Sequence, residues 1–270
     1  MHNLTLFFFL AVGCCANTFA SAAIVAPYSN DFSASVADFS PTLSGQWSLI
    51  SGKYQNQIIA DMIPGNESSS STRQFLGLGG SPFTAKDFSL STVFTITNSV
   101  GDFNSLGYAI LANNADATTN ANSFYLADVY VGGGAFNAQM RFAEIGVAPT
   151  LATTMFNLNK VLLQGIPYLL QVEGKYAANG DLNLKLELTG DNDYDFLQLP
   201  PIPAINVLAG DYFGYRDRTG TTTSSLTVEY DSLNVTAIPE PSAIGLVAAS
   251  LLGGYAIGRY WRRRQSKIDA

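Results

Sequence analysis

From Phe88 to Thr97 apolar and polar residues alternate so regularly that only a strand with one buried face and one wet face accommodates them. Phe88, Leu90, Thr92, Phe94 and Ile96 fall on one side, and mostly serine and threonine on the other. A period of two marks a pleated strand because successive side chains point to opposite faces. The pattern returns at Leu182, Leu184, Leu186 and Leu188, interleaved with Asn183, Lys185 and Glu187. Asn179-Gly180 stands between this run and Tyr168 to Tyr176. Residues that tolerate positive φ at a two-residue turn predict a hairpin there.

The rest of the middle reads the same way. Asn30-Asp31-Phe32-Ser33 is expected as a first strand, and Gln46 to Ile50 with Tyr54 to Ile59 as a hairpin across Gly52 with Trp47 turned inward. Further strands are expected at Leu106 to Leu111, Phe124 to Val131, Gln139 to Ile145, Tyr212 to Arg218 and Leu226 to Val235. Pro64 through Thr72, with four serines in a row, reads as loop, and so does Asp191 to Gly210 with its three prolines. Nothing in this body has the length and period of a helix of ten residues. Roughly ten to twelve half-buried strands bury their apolar faces best as two sheets packed against each other. The expected fold class is all-β, a two-sheet antiparallel jelly-roll sandwich plus one C-terminal transmembrane helix.

Both ends differ from this body. Leu4 to Val12 is apolar and Ala20 to Ala23 is small, the order of a secretory signal occupying residues 1–23 and removed by a signal peptidase. Cys14, after Ala11-Val12-Gly13, also has faint lipobox character as an alternative acceptor. Cleavage near Ala23 removes His2, the single histidine, together with Cys14 and Cys15, the only two cysteines. The remainder has no parts for a Ser-His-Asp triad, a Cys-His dyad, a Cys/His metal site or a disulfide. It is also acidic. Between Ile24 and Ile238, 9 Lys and Arg face 19 Asp and Glu, a net of −10, and without a basic stripe this excludes nucleic acid as a partner.

At the other end Pro239, Glu240 and Pro241 stop the strand pattern, because proline lacks the N–H a ladder needs. Residues 242–258 carry no charge, and as a helix they would reach roughly 26 Å, near the thickness of a bilayer core. Arg259, Arg262, Arg263, Arg264 and Lys267 follow, which predicts a cytoplasmic tail over 259–270 and a body on the far side of the membrane. The expected division is a signal at 1–23, an exported domain at 24–237 and a sorting segment at 238–264. The ordered triplet, apolar run and arginine cluster resemble the PEP-CTERM sorting signal of exosortase substrates, with Pro239, Glu240, Pro241, Arg262, Arg263 and Arg264 as the motif. That resemblance implies export, retention in membrane lipid, and processing near the triplet by an exosortase-type enzyme. An anchor that is never cleaved is the alternative.

A second resemblance spans the body. Asp31-Phe32, Trp47, Gly52-Lys53-Tyr54, Tyr108, Phe124-Tyr125-Leu126, Gly214-Tyr215-Arg216 and Tyr230-Asp231-Ser232-Leu233 occur in an order similar to the concanavalin A-like, laminin G-like jelly rolls. It implies a fold used for carbohydrate or protein binding, frequently beside calcium. Calcium is therefore the candidate cofactor. Its oxygen ligands would come from the alternating acids Asp191, Asp193 and Asp195, or from Asp31 and Asp231 if the first and last strands lie together. The acidic run departs from an EF-hand loop, with Phe196 at the sixth position and Ile202 at the twelfth. Glu229 and Asp231 resemble two members of the Glu-x-Asp-x-x-Glu pattern of retaining glycosidases of this fold, but Asn234 takes the place of the third acid. Tyr125, Tyr130, Tyr212 and Tyr215 are the candidate platforms for stacking on sugar faces. The expectation is an exported, envelope-anchored, non-enzymatic domain that binds extracellular polysaccharide or matrix. A carboxylate-dependent glycoside hydrolase and a purely structural matrix subunit are the alternatives.

Overall fold

The computed structural model describes residues 24–42, 46–59, 68–76, 78, 87–133, 136–221 and 223–237. The signal at 1–23 and the sorting segment at 238–264, with its expected helix, lie outside the described residues. Among the described residues no helix is long and apolar enough to cross a membrane. Among the described residues a single 3-10 turn, Ala204–Asn206, is the helical content, and the other regular elements are strands.

Among the described residues seventeen strands form two sheets. Sheet one runs β1 (Ile24–Val25), β6 (Ser68–Leu76), β15 (Tyr212–Arg218), β8 (Ser105–Ala112), β9 (Phe124–Tyr130), β10 (Gln139–Ile145) and β11 (Thr154–Asn157), with β3 (Ser40–Pro41) also on β6. Sheet two runs β14 (Asp193–Gln198), β13 (Leu182–Gly190), β12 (Pro167–Tyr176), β7 (Phe88–Val100), β16 (Ser225–Tyr230), β5 (Lys53–Ile58) and β4 (Trp47–Ile50). Beside it β17 (Leu233–Ala237) pairs with β7 and with β2 (Tyr28–Asn30). Among the described residues the strand pairings are antiparallel except the short one between β1 and β6. The expected two-sheet sandwich is therefore present.

The period-two strands behave as their sequence demands. Phe88, Leu90, Thr92, Phe94 and Ile96 of β7 are buried, as are Leu182, Leu184, Leu186 and Leu188 of β13. They meet Leu106, Tyr108 and Ile110 of β8, Met140 and Phe142 of β10, and Phe213 and Tyr215 of β15 across the core. At one end the core is aromatic. Tyr215 stacks on Tyr230 at 3.9 Å between ring centroids, and Trp47 packs on Tyr54 at 4.9 Å.

Four segments depart from expectation, each for a local reason. Asn30 ends β2 and Asp31 to Ser33 turn away from it: the Asn30 side chain accepts from the Phe32 amide, Asp31 accepts from Ser33, and Phe32 takes φ +56° to bury its ring. Ser68–Leu76 is a strand and not a loop. Two of its serines meet aromatic side chains across the core, Ser69 accepting from Trp47 Nε1 at 2.5 Å and Ser71 meeting the Tyr54 hydroxyl at 2.6 Å. Within Asp191 to Gly210, Asp191 and Asn192 take positive φ and form a tight turn that returns β14 onto β13. Leu226 to Val235 breaks at Asp231-Ser232 into β16 and β17.

Candidate functional site

In β15 Phe213, Tyr215 and Asp217 point into the sandwich, so Tyr212, Gly214, Arg216 and Arg218 belong to the opposite face of sheet one. Register then assembles a polar row across that face. Arg216 pairs with Ser70 of β6, and the alignment of Tyr215 with Tyr108 and Arg218 with Ser105 sets Arg216 opposite Gly107 of β8. Gly107 pairs with Asp128 of β9, and Asp128 with Arg141 of β10. At Gly107 an added Cβ would come 2.3 Å from the Ala127 carbonyl oxygen. Close strand approach requires glycine here, and no side chain separates Arg216 from Asp128 along the row.

Asp128 is fully buried and is gripped by Arg141, whose Nε and Nη2 donate to its two oxygens at 2.8 and 2.5 Å. This two-point geometry fixes the guanidinium plane. Burial would lower the Arg141 pKa, but the Asp128 charge and hydrogen bonds outweigh it and hold the group above its ordinary value. Arg141 Nη1 also donates to the Tyr130 hydroxyl at 2.6 Å, and its guanidinium lies 4.6 Å from the Tyr130 ring centroid. Arg216 is 5 % exposed. Burial pulls its pKa down to about 10.

Tyr130 carries the row to the strand ends. Its ring meets Phe103 edge-on at 6.2 Å, and Phe103 in turn lies 4.7 Å from Phe136. These two phenylalanines are 49 % and 47 % exposed. Phe103 is held outward at φ +61°, and Phe136 by paired backbone hydrogen bonds with Gly133. Asp102, next to Phe103, and Gly133 both line a hollow of about 340 Å³, together with Ser99, Gly132, Val161 and Gln164. Gln164 Nε2 donates to the Ser99 carbonyl at 3.3 Å. Gly132 and Gly133 have φ of +81° and +147°, which brings bare backbone to the wall. A carboxylate, an amide, bare backbone and exposed aromatic faces in one place can hydrogen-bond hydroxyls and cover an apolar ring face.

The acids singled out from sequence sit elsewhere. Asp193 and Asp195 converge on Lys160, whose ammonium lies 2.7 and 2.8 Å from them, where a divalent ion was expected. Hydrogen bonding from Lys160 holds the Asp193 carboxyl below its ordinary range. Asp191 is in the turn. β2 and β17 do lie side by side, but Asp31 is engaged by Ser33, and Asp231 by Lys53 at 3.0 Å. Lys53 also lies 3.3 Å from Glu229, so the glycosidase-like pair meets at a lysine. Asn234 accepts from Ser29. Among the described residues no group of three or more His, Cys, Asp or Glu side chains could hold a metal ion.

Two of the four tyrosine platforms require correction. Tyr125 and Tyr215 are fully buried. Tyr125 donates to the Asn206 carbonyl at 3.0 Å and accepts from the Leu208 amide at 3.1 Å, while Tyr215 belongs to the aromatic core. Neither ring face is open to a sugar. Tyr212 is half-buried against the small apolar cluster around Phe124 and Leu126, which leaves Tyr130 as the tyrosine at the site. Phe103, Asp102, Phe136, Gln164, Asp128, Arg141 and Arg216 were not singled out from the sequence. The alternation Tyr-Phe-Gly-Tyr-Arg-Asp-Arg, which puts the arginines opposite Tyr215, was the available signal.

No family model and no curated protein matches this chain. Solved structures match it over most of its length at low identity. A seed lectin of Lotus tetragonolobus aligns with a TM-score of 0.54 and 12% identity over 80% of this chain and 100% of its own. The alginate lyase Aly36B aligns with 0.54 and 11% over 80% and 98%. The GH43 protein BlXynB from Bacillus licheniformis aligns with 0.52 and 10% over 78% of this chain and 39% of its own. The fold is thus a two-sheet jelly roll shared with these structures. The expectation of a non-enzymatic domain is corrected: this fold is shared with a lyase and a GH43 protein as well as with a lectin, so the architecture leaves enzyme status unresolved.

Proposed function

We propose that this domain recognises carbohydrate at the strand-end hollow, with Phe103 and Phe136 as the stacking faces and Asp102 and Gln164 as the hydroxyl partners. The observation that carries the reading is the exposure of two aromatic rings in mutual contact at 4.7 Å, next in the chain to residues that line a hollow of mixed polar and apolar character. Exposed aromatic pairs lose little conformational entropy on binding and match the apolar faces of pyranose rings. The lectin, lyase and GH43 neighbours lend support through fold alone.

The test is a glycan array with the purified full-length chain, repeated with Phe103→Ala and Phe136→Ala. Retention of defined glycans by the parent and loss of about fivefold or more in affinity in either variant is expected, since one stacked ring contributes on the order of 1 kcal/mol or more. Absence of any retained glycan overturns the reading. Incubation of the retained glycans with the protein, followed by mass analysis, decides whether recognition leads to turnover.

The terminal segments complete the proposal. Supported by the triplet Pro239-Glu240-Pro241, the uncharged run 242–258 and the arginines after it, we infer export, transient residence in the membrane, and cleavage near the triplet by an exosortase-type enzyme. Extracellular polysaccharide is then the partner within reach. Cell fractionation with mass measurement of the C-terminus tests this: a full-length C-terminus on the surface form would contradict cleavage.

A further inference from the structure

The hollow at the strand ends has acceptors in want of a donor. Among the described residues that line it, Asp102 carries the one charge. Its carboxylate is half-buried and makes no hydrogen bond or ion pair among the described residues. Gln164 gives its amide nitrogen to the Ser99 carbonyl. A backbone carbonyl only accepts, so that end of the amide is fixed and the amide oxygen is left over as a second acceptor. The cations nearby in the chain are committed elsewhere: Lys160, next to Val161 of the lining, to Asp193 and Asp195, and Arg141, which touches Tyr130, to Asp128. Open ring faces stand alongside. Phe103 follows Asp102, about 3.8 Å away between Cα atoms. Phe136, bonded through its backbone to Gly133 of the lining, lies 4.7 Å from Phe103. Phe103, Phe136 and Gln164 are exposed, so a ligand reaches them directly. A carboxylate beside aromatic faces suits an organic cation, which it holds by charge-assisted hydrogen bonds while the rings attract the charge through their negative faces.

We propose that the hollow binds a saccharide bearing a protonated amino group, so that the polysaccharide recognised by this domain contains free amino sugars. The inference rests on the carbohydrate reading above and names its substrate class. The ammonium pairs with Asp102 and takes the Gln164 amide oxygen as its second acceptor, while pyranose faces cover Phe103 and Phe136. An ammonium has three donors and no acceptor, which complements this lining. N-acetylation removes the charge that Asp102 answers, and a uronate meets repulsion from it.

Titration calorimetry of the full-length chain in mildly acidic buffer, at low and at physiological salt, tests this with three oligosaccharides of identical linkage and length: oligoglucosamine, its fully N-acetylated form and the corresponding oligoglucose. Binding of oligoglucosamine about fivefold or more tighter than either neutral oligomer, weakening with salt, is expected for a charge-assisted contact. Asp102→Asn keeps the size of the side chain without its charge and should bring the three affinities together, and Asp102→Glu should retain part of the preference. A preference that survives Asp102→Asn belongs to the general acidity of the body and overturns the proposal. Neutral oligomers bound as tightly as oligoglucosamine, or more tightly, overturn it too, and leave the carbohydrate reading standing where Phe103→Ala weakens them. If none of the three binds, the proposal falls and the glycan array decides the carbohydrate reading. If Asp102→Asn does not fold, the parent chain decides: at physiological salt oligoglucosamine must raise its Tm more than the N-acetylated form does, Phe103→Ala must lessen that difference, and equal shifts overturn the proposal.

Discussion

Tyr230 on sheet two donates its phenolic hydroxyl across the core to Asp217 on sheet one, at 2.5 Å. Asn56, also on sheet two, donates to the other carboxyl oxygen at 2.7 Å. A fully buried carboxyl therefore bridges the two layers. Burial dominates its titration and pushes its pKa up to about 7, although both hydrogen bonds pull the other way.

Stability should follow that proton. Between the ordinary value of 3.8 and about 7 the folded chain holds a proton that the unfolded chain has released, so stability falls as pH rises through this window and levels off above it. Denaturant unfolding from pH 4 to pH 8 checks this. Asp217→Asn should flatten the decline, and an unchanged slope would reject the assignment.

Tyr230→Phe removes one of the two side-chain donors. The carboxyl then ionises less readily, so the decline should extend to higher pH, and above pH 7 the variant should lose about 1–3 kcal/mol for an undersatisfied buried acid. Paired unfolding curves at pH 5 and pH 8 measure both effects, with the larger loss expected at pH 8.

The serines of β6 are structural acceptors. Ser69→Ala leaves the buried Trp47 indole N–H without its partner and should cost about 1–3 kcal/mol. Trp47 fluorescence reports whether the indole stays buried in the variant. Ser48→Ala on the exposed outer side of β4 is the control and should be nearly silent.

Lys160 occupies the acidic pair on β14. Lys160→Ala should free Asp193 and Asp195, so that calcium raises the thermal midpoint of the variant more than that of the parent. Equal responses would separate these residues from any calcium effect.

Gly107 stands where strands meet closely. Gly107→Ala would drive a Cβ to 2.3 Å from the Ala127 carbonyl, and displacement of β8 from β9 should cost roughly 1–3 kcal/mol. Thermal unfolding measures the loss.

Where one sheet face is wet, the sequence was readable. Phe88 to Ile96 and Leu182 to Leu188 announce both strand and burial because polar residues mark the outside. Sheet one hides its pattern, since β8 is buried at every position and β9 at all but its last. With both faces covered, alternation no longer separates inside from outside. That is why Tyr125 and Tyr215 were indistinguishable from surface platforms and why the burial of Arg216 and Asp128 could not be read from their positions. Ser68 to Ser71 misled for a related reason: Ser69 and Ser71 point at indole and phenol groups while Ser68 and Ser70 are buried on the other face against Arg216 and Thr42, so all four are buried residues with a loop's composition. Phe103 and Phe136 lie in turns, where no periodicity reveals which way a ring points.

The serine-rich strand has a kinetic corollary. A stretch reading Ser-Ser-Ser-Ser-Thr offers nearly the same side chain at every rung, so it cannot tell one alignment from the next unaided. The discriminating residues are at its far end, where Arg73 pairs with Asp38 at 2.8 Å and Phe75 wedges between Tyr28 and Phe213. Strand β6 should thus lock from that end like a zip with a single starting pin, and loosening Arg73 or Phe75 should yield misthreaded, slowly maturing chains before it yields unfolded ones.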